Sequence, residues 1–342
     1  MSKKRIFITG GAGFIGSNSA EYFASKDWKV TVFDNFSRNG SVENAKFLKN
    51  LKRNIKIVKG DIRRDRRLLD KEIARTDAVL HLAAQVAVTT SITNPREDFE
   101  TNVLGTFNVL ESIRNSKNRP PIIYSSTNKV YGAMEELRVK RVKKRYIYVD
   151  YPFGISEKFP LDFHSPYGCS KGAADQYVRD YARIYGLKTV VFRQSCIYGP
   201  RQFGVEDQGW LAWFIIAVVT KTPITIYGDG RQVRDVLFID DLVRAYELAF
   251  SNKEALKGEI FNVGGGLTFA ISVWSEFGSI LEDYFGKKIN VNFAEWRLGD
   301  QKIYISDIRK IKKLLGWKPQ ISPKDGISMF CKWVENNKEL FK

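Results

Sequence analysis

A tyrosine four residues ahead of a lysine, Tyr167 and Lys171 in Ser165-Pro166-Tyr167-Gly168-Cys169-Ser170-Lys171, is the pair whose types and spacing best suit proton transfer. The run that follows predicts a helix to about Tyr185, and at that spacing phenol and ammonium lie on one helix face, a turn apart. A free phenol titrates near pKa ~10 and is a poor base at neutral pH; a neighbouring cation favours the phenolate and lowers that value. Tyr167 would then take a proton from a substrate hydroxyl. Tyr-xxx-Lys also arises by chance on exposed helices, so its meaning rests on what the chain sets around it.

Those surroundings begin near the N-terminus. Arg5 to Thr9 reads as a fully buried strand that runs into Gly10-Gly11-Ala12-Gly13-Phe14-Ile15-Gly16 and a helix to about Ser25. Glycines spaced this way permit a tight turn, close approach of a pyrophosphate and close packing of helix on strand, while the helix N-terminus offers free N–H groups. The next strand, Lys29 to Phe33, ends in Asp34-Asn35, where a carboxylate suits the ribose hydroxyls of an adenosine. That favours NAD, and Arg38 close by keeps its 2′-phosphorylated form open. Ile55 to Val58 is a third strand, followed by Gly60-Asp61-Ile62, with Asp61 placed for an adenine amino group or for a helix cap. Ala78 to Ala84 is a fourth, ending in small residues that let a cofactor lie against the backbone. Asn94 to Arg114 has helical periodicity, Pro121 to Ser126 is a fifth strand ending in hydroxyls, and Lys188 to Phe192 is a sixth.

This alternation predicts an α/β fold with a Rossmann-type, doubly wound parallel sheet and its ligand at the carboxyl ends of the strands. The glycine turn, Asp34, Ala83 and Thr127 all fall on that edge. Gly132 to Asp162 lacks periodicity and reads as a long loop bordering the cleft. Past residue 192, turn signals at Gly199-Pro200, Gly228-Asp229-Gly230 and Gly264-Gly265-Gly266 separate shorter elements. The expected division is 1–192 for a dinucleotide-binding domain, with roughly 235–265 returning to it, and 193–342 for a smaller C-terminal α/β substrate-binding lobe.

Composition narrows the function. With 44% hydrophobic and 27% charged residues among 342, the chain is an ordinary globular protein rather than a disordered one. Its net charge of +17 favours acidic partners such as nucleotides and phosphates. The densest basic runs, 63–67 and 138–145, lack the interleaved aromatics of a nucleic-acid module and read as solvated faces, so no nucleic-acid partner is expected. Cys169, Cys196 and Cys331 are odd in number and scattered, which predicts a reduced, cytoplasmic setting without disulfides. With two histidines, of which His81 reads as a core residue, no metal site is expected. Met1 to Arg5 leads straight into a strand, and the longest apolar run, Trp210 to Val219, is shorter than the ~20 residues that span a bilayer, so no signal peptide and no membrane partner are expected.

With the glycines, Asp34, the hydroxyls after the fifth strand and Tyr167/Lys171 in order, the chain resembles the extended short-chain dehydrogenase/reductase family of nucleotide-sugar epimerases and dehydratases over nearly its whole length. Within it the likeness is to 2-epimerases of CDP-linked sugars. It is carried by Phe33-Asp34-Asn35 with Ser37-Arg38, His81 to Ile92, Tyr124 to Gly132, Leu161 to Tyr177, and Asp207 to Trp210. The resemblance implies NAD as a catalytic, unconsumed cofactor held by Gly10, Gly13, Phe14, Ile15, Gly16, Asp34, Asn35, Ser37, Arg38, Asp61, Ile62, Leu82, Ala83 and Ala84, with Tyr167 and Lys171. It implies Tyr167 as base, Lys171 on the nicotinamide ribose and lowering the Tyr167 pKa, Thr127 and Ser126 at the reacting hydroxyl, and Asn102 supporting the site through its amide.

In the family an arginine pair of the second lobe grips the substrate pyrophosphate; Arg234 and Arg297 match it, and Arg201 is a further implied substrate contact. Cys196 stands where many relatives have asparagine and is assigned no catalytic role. Asn128-Lys129 stands where dehydratases place Asp-Glu after the threonine, so the general acid for eliminating water is missing. The resemblance therefore implies 2-epimerisation of a CDP-sugar through a transient 2-keto sugar. A UDP-sugar 4-epimerase is the alternative, and an NAD-sensing or nucleic-acid-binding protein without chemistry is a third reading of another class. A homodimer or homotetramer paired through the Asn94–Arg114 and Tyr167 helices is also implied.

Overall fold

A computed structural model describes residues 3–206, 208–296 and 301–341. Strands β1 (Arg5–Thr9), β2 (Lys29–Asp34), β3 (Ile55–Lys59), β4 (Ala78–His81), β5 (Ile122–Thr127), β8 (Thr189–Gln194) and a last strand, Lys257–Val263, form one sheet. β6 (Val139–Val142) and β7 (Arg145–Tyr148) pair outside this sheet. The order across the sheet is Lys257–Val263, β8, β5, β4, β1, β2, β3, and every pairing is parallel. Parallel strands covered on both faces have no polar side to show, which is why β1, β4 and β8 read as near-continuous apolar runs. The direction of winding reverses between β1 and β4, and a crevice opens there at the carboxyl ends.

On one face of the sheet α3 (Arg66–Ile73), α6 (Gly105–Asn115) and α7 (Ser165–Tyr185) bury Leu69, Ile73, Leu110, Ile113, Ala174 and Val178. On the other, α1 (Phe14–Ser25), α2 (Ser41–Asn50), α8 (Trp210–Thr220) and α9 (Ile239–Ser251) close a larger core around Phe23, Phe192, Phe214 and Tyr246. A third cluster, with Tyr131, Tyr148, Ile155, Val233 and Tyr304, packs on a three-stranded sheet and short two-stranded pieces.

Two stretches differ from the sequence expectation. The segment 132–162 is not simply a loop: β6 (Val139–Val142) and β7 (Arg145–Tyr148) pair as an antiparallel hairpin through a two-residue turn, Lys143-Lys144. That turn carries none of the Gly or Asn signals that usually mark a hairpin. The hairpin is anchored by tertiary contacts instead: Tyr148 is buried and donates to the Ile303 carbonyl, and Arg145 pairs with Glu276. The Asn94–Arg114 helix is also interrupted. α4 (Val88–Thr93) and α5 (Pro95–Phe99) precede a π-helical turn, Glu100–Leu104, before α6. Such a turn inserts a residue into the i to i−4 ladder and is common at functional sites; here it holds Asn102, which is buried.

α7 starts at a local signal. Ser165 Oγ accepts from the Gly168 amide and Pro166 occupies the first turn, satisfying one orphan donor and presetting φ. The closest backbone approach is in the β1–α1 turn, where a Cβ on Gly16 would lie 2.2 Å from the Gly10 carbonyl oxygen. Gly16→Ala is therefore expected to lower stability by about 2–3 kcal/mol through overpacking. Gly186→Ala, at φ 65° with nothing within 4 Å, should cost about 1 kcal/mol from backbone strain alone. Urea unfolding of the two variants distinguishes packing from strain; equal losses would refute the assignment.

Candidate active site

The glycine turn is a backbone cradle. Gly10 stands at φ 65°, and a Cβ there would lie 2.7 Å from the Ala83 amide nitrogen, so the turn rests directly on the end of β4. No side chain caps α1 and its first turn holds no acid, which leaves the positive end of the helix facing the crevice. Asp34, at the tip of β2, accepts from the Ala12 amide (3.0 Å) and the Phe36 amide (2.8 Å). It thus ties the turn to the next strand, and burial holds its pKa above the usual carboxylate range. Asp61 sits beyond β3. Burial opposes its ionisation, but the Arg63 fork, the Arg63 amide and Asn35 outweigh that and hold it at about 2. The helix that follows is not capped by a side-chain hydrogen bond from Asp65, its preceding residue, and Asp61 instead closes a short turn on Arg63.

Across the crevice, α7 packs on β5 and β8. Tyr167 is 8% exposed. Burial pushes its pKa up to about 12; a hydrogen bond with Thr127 and the charge of Arg38 work downward, and Asp98 upward. This corrects the sequence expectation that Lys171 lowers Tyr167. The Lys171 ammonium turns under the helix, donates to the Ser125 carbonyl and lies 4.4 Å from the centre of the Tyr124 ring. Burial brings its own pKa down to about 7, against the raising fields of Asp175 and Asp98. One turn further along α7, Asp175 is fully buried and accepts from Ser126 Oγ (2.8 Å) and from both Nε and Nη2 of Arg193 (2.9 and 3.0 Å). Arg193 continues to Tyr131, whose hydroxyl donates to Asn262. Ser126 is therefore engaged with Asp175, while Thr127 is the hydroxyl beside the phenol.

A buried polar chain joins the two halves. Thr106 Oγ1 donates to the Asn102 carbonyl at 2.6 Å, so it accepts from His81 Nε2. His81 Nδ1 is then an acceptor and takes its proton from Thr9 Oγ1 at 2.6 Å, which accepts in turn from the Leu82 and Ala83 amides. One tautomer satisfies every member. Burial and the charge of Lys171 hold His81 neutral, at about 3. His81 is thus a core histidine, as expected.

One cavity of about 400 Å³ is lined by Gly10, Gly13, Phe14, Ile15, Gly16, Asp34, Asn35, Ser37, Arg38, Asp61, Ile62, Leu82, Ala83, Ala84, Ser126, Thr127, Tyr167 and Lys171. Asn102 lies behind its wall, fully occupied: its Oδ1 accepts from the Gln85 amide and its Nδ2 points at three acceptors. Arg201 lines the cavity, but its guanidinium is directed away, bonding Glu21 and Asn18 and stacking on Phe47. Arg234 is not part of this lining and donates to its neighbour's carbonyl at Val233. Arg297 falls outside the described residues. Asn44, Gln194, Gln202, Phe203 and Gln208 also line the site and were not legible beforehand; they come from α2, the end of β8 and the loop before α8, whose nearness to the glycine turn is a tertiary fact. Asp175 did leave a signal, an acid one helical turn past Lys171. Among the described residues no group of three or more His, Cys, Asp or Glu could hold a metal, and no helix is long and apolar enough to cross a membrane.

A profile of the family described as GDP-mannose 4,6 dehydratase matches residues 7–330. The chain belongs to that family, within the extended short-chain dehydrogenase/reductases. It is 46% identical to CDP-paratose 2-epimerase of Salmonella typhi over 97% of this chain and 99% of that protein. It is 33% identical to UDP-glucuronate 4-epimerase of Thermodesulfobacterium geofontis over 98% and 97%. Among solved structures, UDP-glucose 4-epimerase of Thermotoga maritima with UDP-glucose matches with a TM-score of 0.81 at 32% identity, covering 98% and 99% of the two chains. The dTDP-glucose 4,6-dehydratase DesIV of Streptomyces venezuelae, with NAD bound, matches at 0.83 and 30%, covering 98% of both.

The enzyme is accordingly an NAD-dependent isomerase of nucleotide sugars. The residues present fit that cofactor: the cradle at Gly10 and Gly16 has no room for a Cβ, and the uncapped α1 faces it. Lys171 gives a stability test of its own. Between pH 7 and 10.5 the unfolded chain carries a proton on this lysine that the folded chain does not, so raising pH through that window stabilises the fold. Lys171→Met should be more resistant to urea than the parent at pH 7 and should lack this part of the rise; an unchanged slope would show that Lys171 is charged at no cost.

Proposed function

We propose that this enzyme epimerises a CDP-linked sugar at C2 through transient oxidation, with Tyr167 as the general base. The observation that carries the reading is that Tyr167 and Thr127 line the cavity that also contains the glycine cradle and Asp34. Bound NAD supplies reversible hydride acceptance at the sugar carbon. Tyr167 takes the proton of the sugar hydroxyl and returns it, and Thr127 orients that hydroxyl and favours the phenolate. Lys171, whose pKa of about 7 puts its charge change near neutrality, offers hydrogen bonds to a ribose. Arg234 and Arg297 are proposed to meet the substrate pyrophosphate. The choice of C2 and of the CDP group is supported by the 46% identity to CDP-paratose 2-epimerase. Asn128-Lys129 after Thr127 supplies no acid to expel water, which supports epimerisation over dehydration within this family.

A second reading, 4-epimerisation of a UDP-sugar, is favoured by the likeness to UDP-glucose 4-epimerase, since the same base and cofactor act at C4 if the sugar sits differently. A homodimer is proposed through α4 to α7, where Ile92, Phe99, Phe107, Tyr177 and Ile184 are exposed.

Tyr167→Phe should retain nucleotide-sugar binding by calorimetry while turnover falls by about three orders of magnitude or more; a near-normal rate removes Tyr167 from the role. With CDP- and UDP-hexoses assayed separately, 2-epimers should form from the CDP series only. Deuterium placed at C2 should remain in the product, and its loss to solvent would refute transient oxidation.

A further inference from the structure

Behind the cavity wall, Asp98 on α5 is a carboxylate with no solvent exposure and little to satisfy it. Among the described residues its Oδ2 has no hydrogen-bond partner, and burial pushes its pKa up against the opposing pull of Ser170 and Lys171. Its Oδ1 accepts from Asn102 Nδ2 at 3.2 Å, but that nitrogen has two hydrogens and also faces the Gln85 carbonyl (3.1 Å) and Ser170 Oγ (3.0 Å). A buried carboxylate so poorly bonded is costly unless another charge answers it.

The answering charge is Lys171. It is 3% exposed and forms no contact ion pair among the described residues, so the fields of Asp175 and Asp98 are what favour its charged form. Asp175, on α7, is closed off by the Arg193 fork. Tyr124, on β5, is kept protonated by burial, and His81, on β4, is held neutral. Arg38, from the loop after β2, acts on Tyr167. α4 carries no charged residue, and Glu100 in the π turn pairs with Arg96. Asp98 acts on both Tyr167 and Lys171 and, among the described residues, has no arginine paired with it.

We propose that Asp98 is a positioning residue for the Tyr167–Lys171 pair: through Asn102 and Ser170 it fixes the first turn of α7, and its negative charge holds Lys171 as a cation while opposing the Tyr167 phenolate, which sets the pH range in which the pair works. The inference rests on these two residues being the catalytic pair. Ser170 Oγ supplies the mechanical link, since it lies against Asn102 Nδ2 and bonds the Tyr167 carbonyl at 3.2 Å.

Asp98→Asn removes the charge at nearly constant shape. In the full-length enzyme with NAD and nucleotide sugar, both limbs of the pH–kcat profile should move to lower pH by about one unit. Ionisation of Tyr167, followed as tyrosinate absorbance with the Tyr167→Phe spectrum subtracted, should move the same way. A profile that drops in height without moving, or a tyrosinate titration that stays in place, overturns the proposal. Asp98→Glu keeps the charge and must leave both curves where they are; a displaced curve there overturns it equally, including where the Asn variant fails to fold. The tyrosinate reading does not need turnover, so an enzyme inactive on every nucleotide sugar would count against the proposed function and leave this inference to stand or fall by itself.

Discussion

Seating the Lys171 amine in the dry interior beneath the cleft is the constraint around which this protein is arranged. Lys171 is almost fully shielded from solvent and, among the described residues, has no carboxylate in contact. What it has is a carbonyl from β5, the face of Tyr124 and two carboxylates at longer range. Each of these requires a tertiary decision. α7 must lie flat on β5 and β8, the Arg193 guanidinium must reach Asp175 from a neighbouring strand, and the chain before α6 must open by one residue. The sheet, the helix and the π turn can be understood as the apparatus that seats one amine where solvent hardly reaches.

Most of the scaffold follows from elementary patterning. β1, β4, β5 and β8 are visible as apolar runs because a parallel sheet hides both faces, and the glycines between β1 and α1 are visible because nothing else fits. The edge where Asp34, Ala83 and Thr127 assemble follows from alternation alone. What was not legible is equally physical. The 138–145 run hides its strands because cations mask the two-residue period and the turn is Lys-Lys; its structure is imposed by Ile303 and Glu276, far away in sequence. The π turn left no trace in the hydrophobic period either.

Charged side chains were the least readable part of the site. From sequence, Arg201 is one cation among many; in the fold Glu21 and Asn18 claim it. The direction in which Lys171 turns is similarly a matter of packing: the spacing places it on the same helix face as Tyr167, yet its ammonium goes to Ser125. Spacing fixes which residues share a surface, and the neighbours then decide whom a flexible chain of four methylenes will meet.

The cofactor cradle is made largely from main chain, with Gly10, Gly13 and Gly16 contributing the absence of a side chain. An alanine scan, the customary probe of a binding site, works by deletion and would find little to delete along this turn. At the glycines it would act in reverse, as an enlargement. Sequence drift can therefore rewrite the residues between the glycines while the dinucleotide seat persists, and a library aimed at changing cofactor use would have to work from the strand tips at Asp34 and Asp61 rather than from the loop that does the holding.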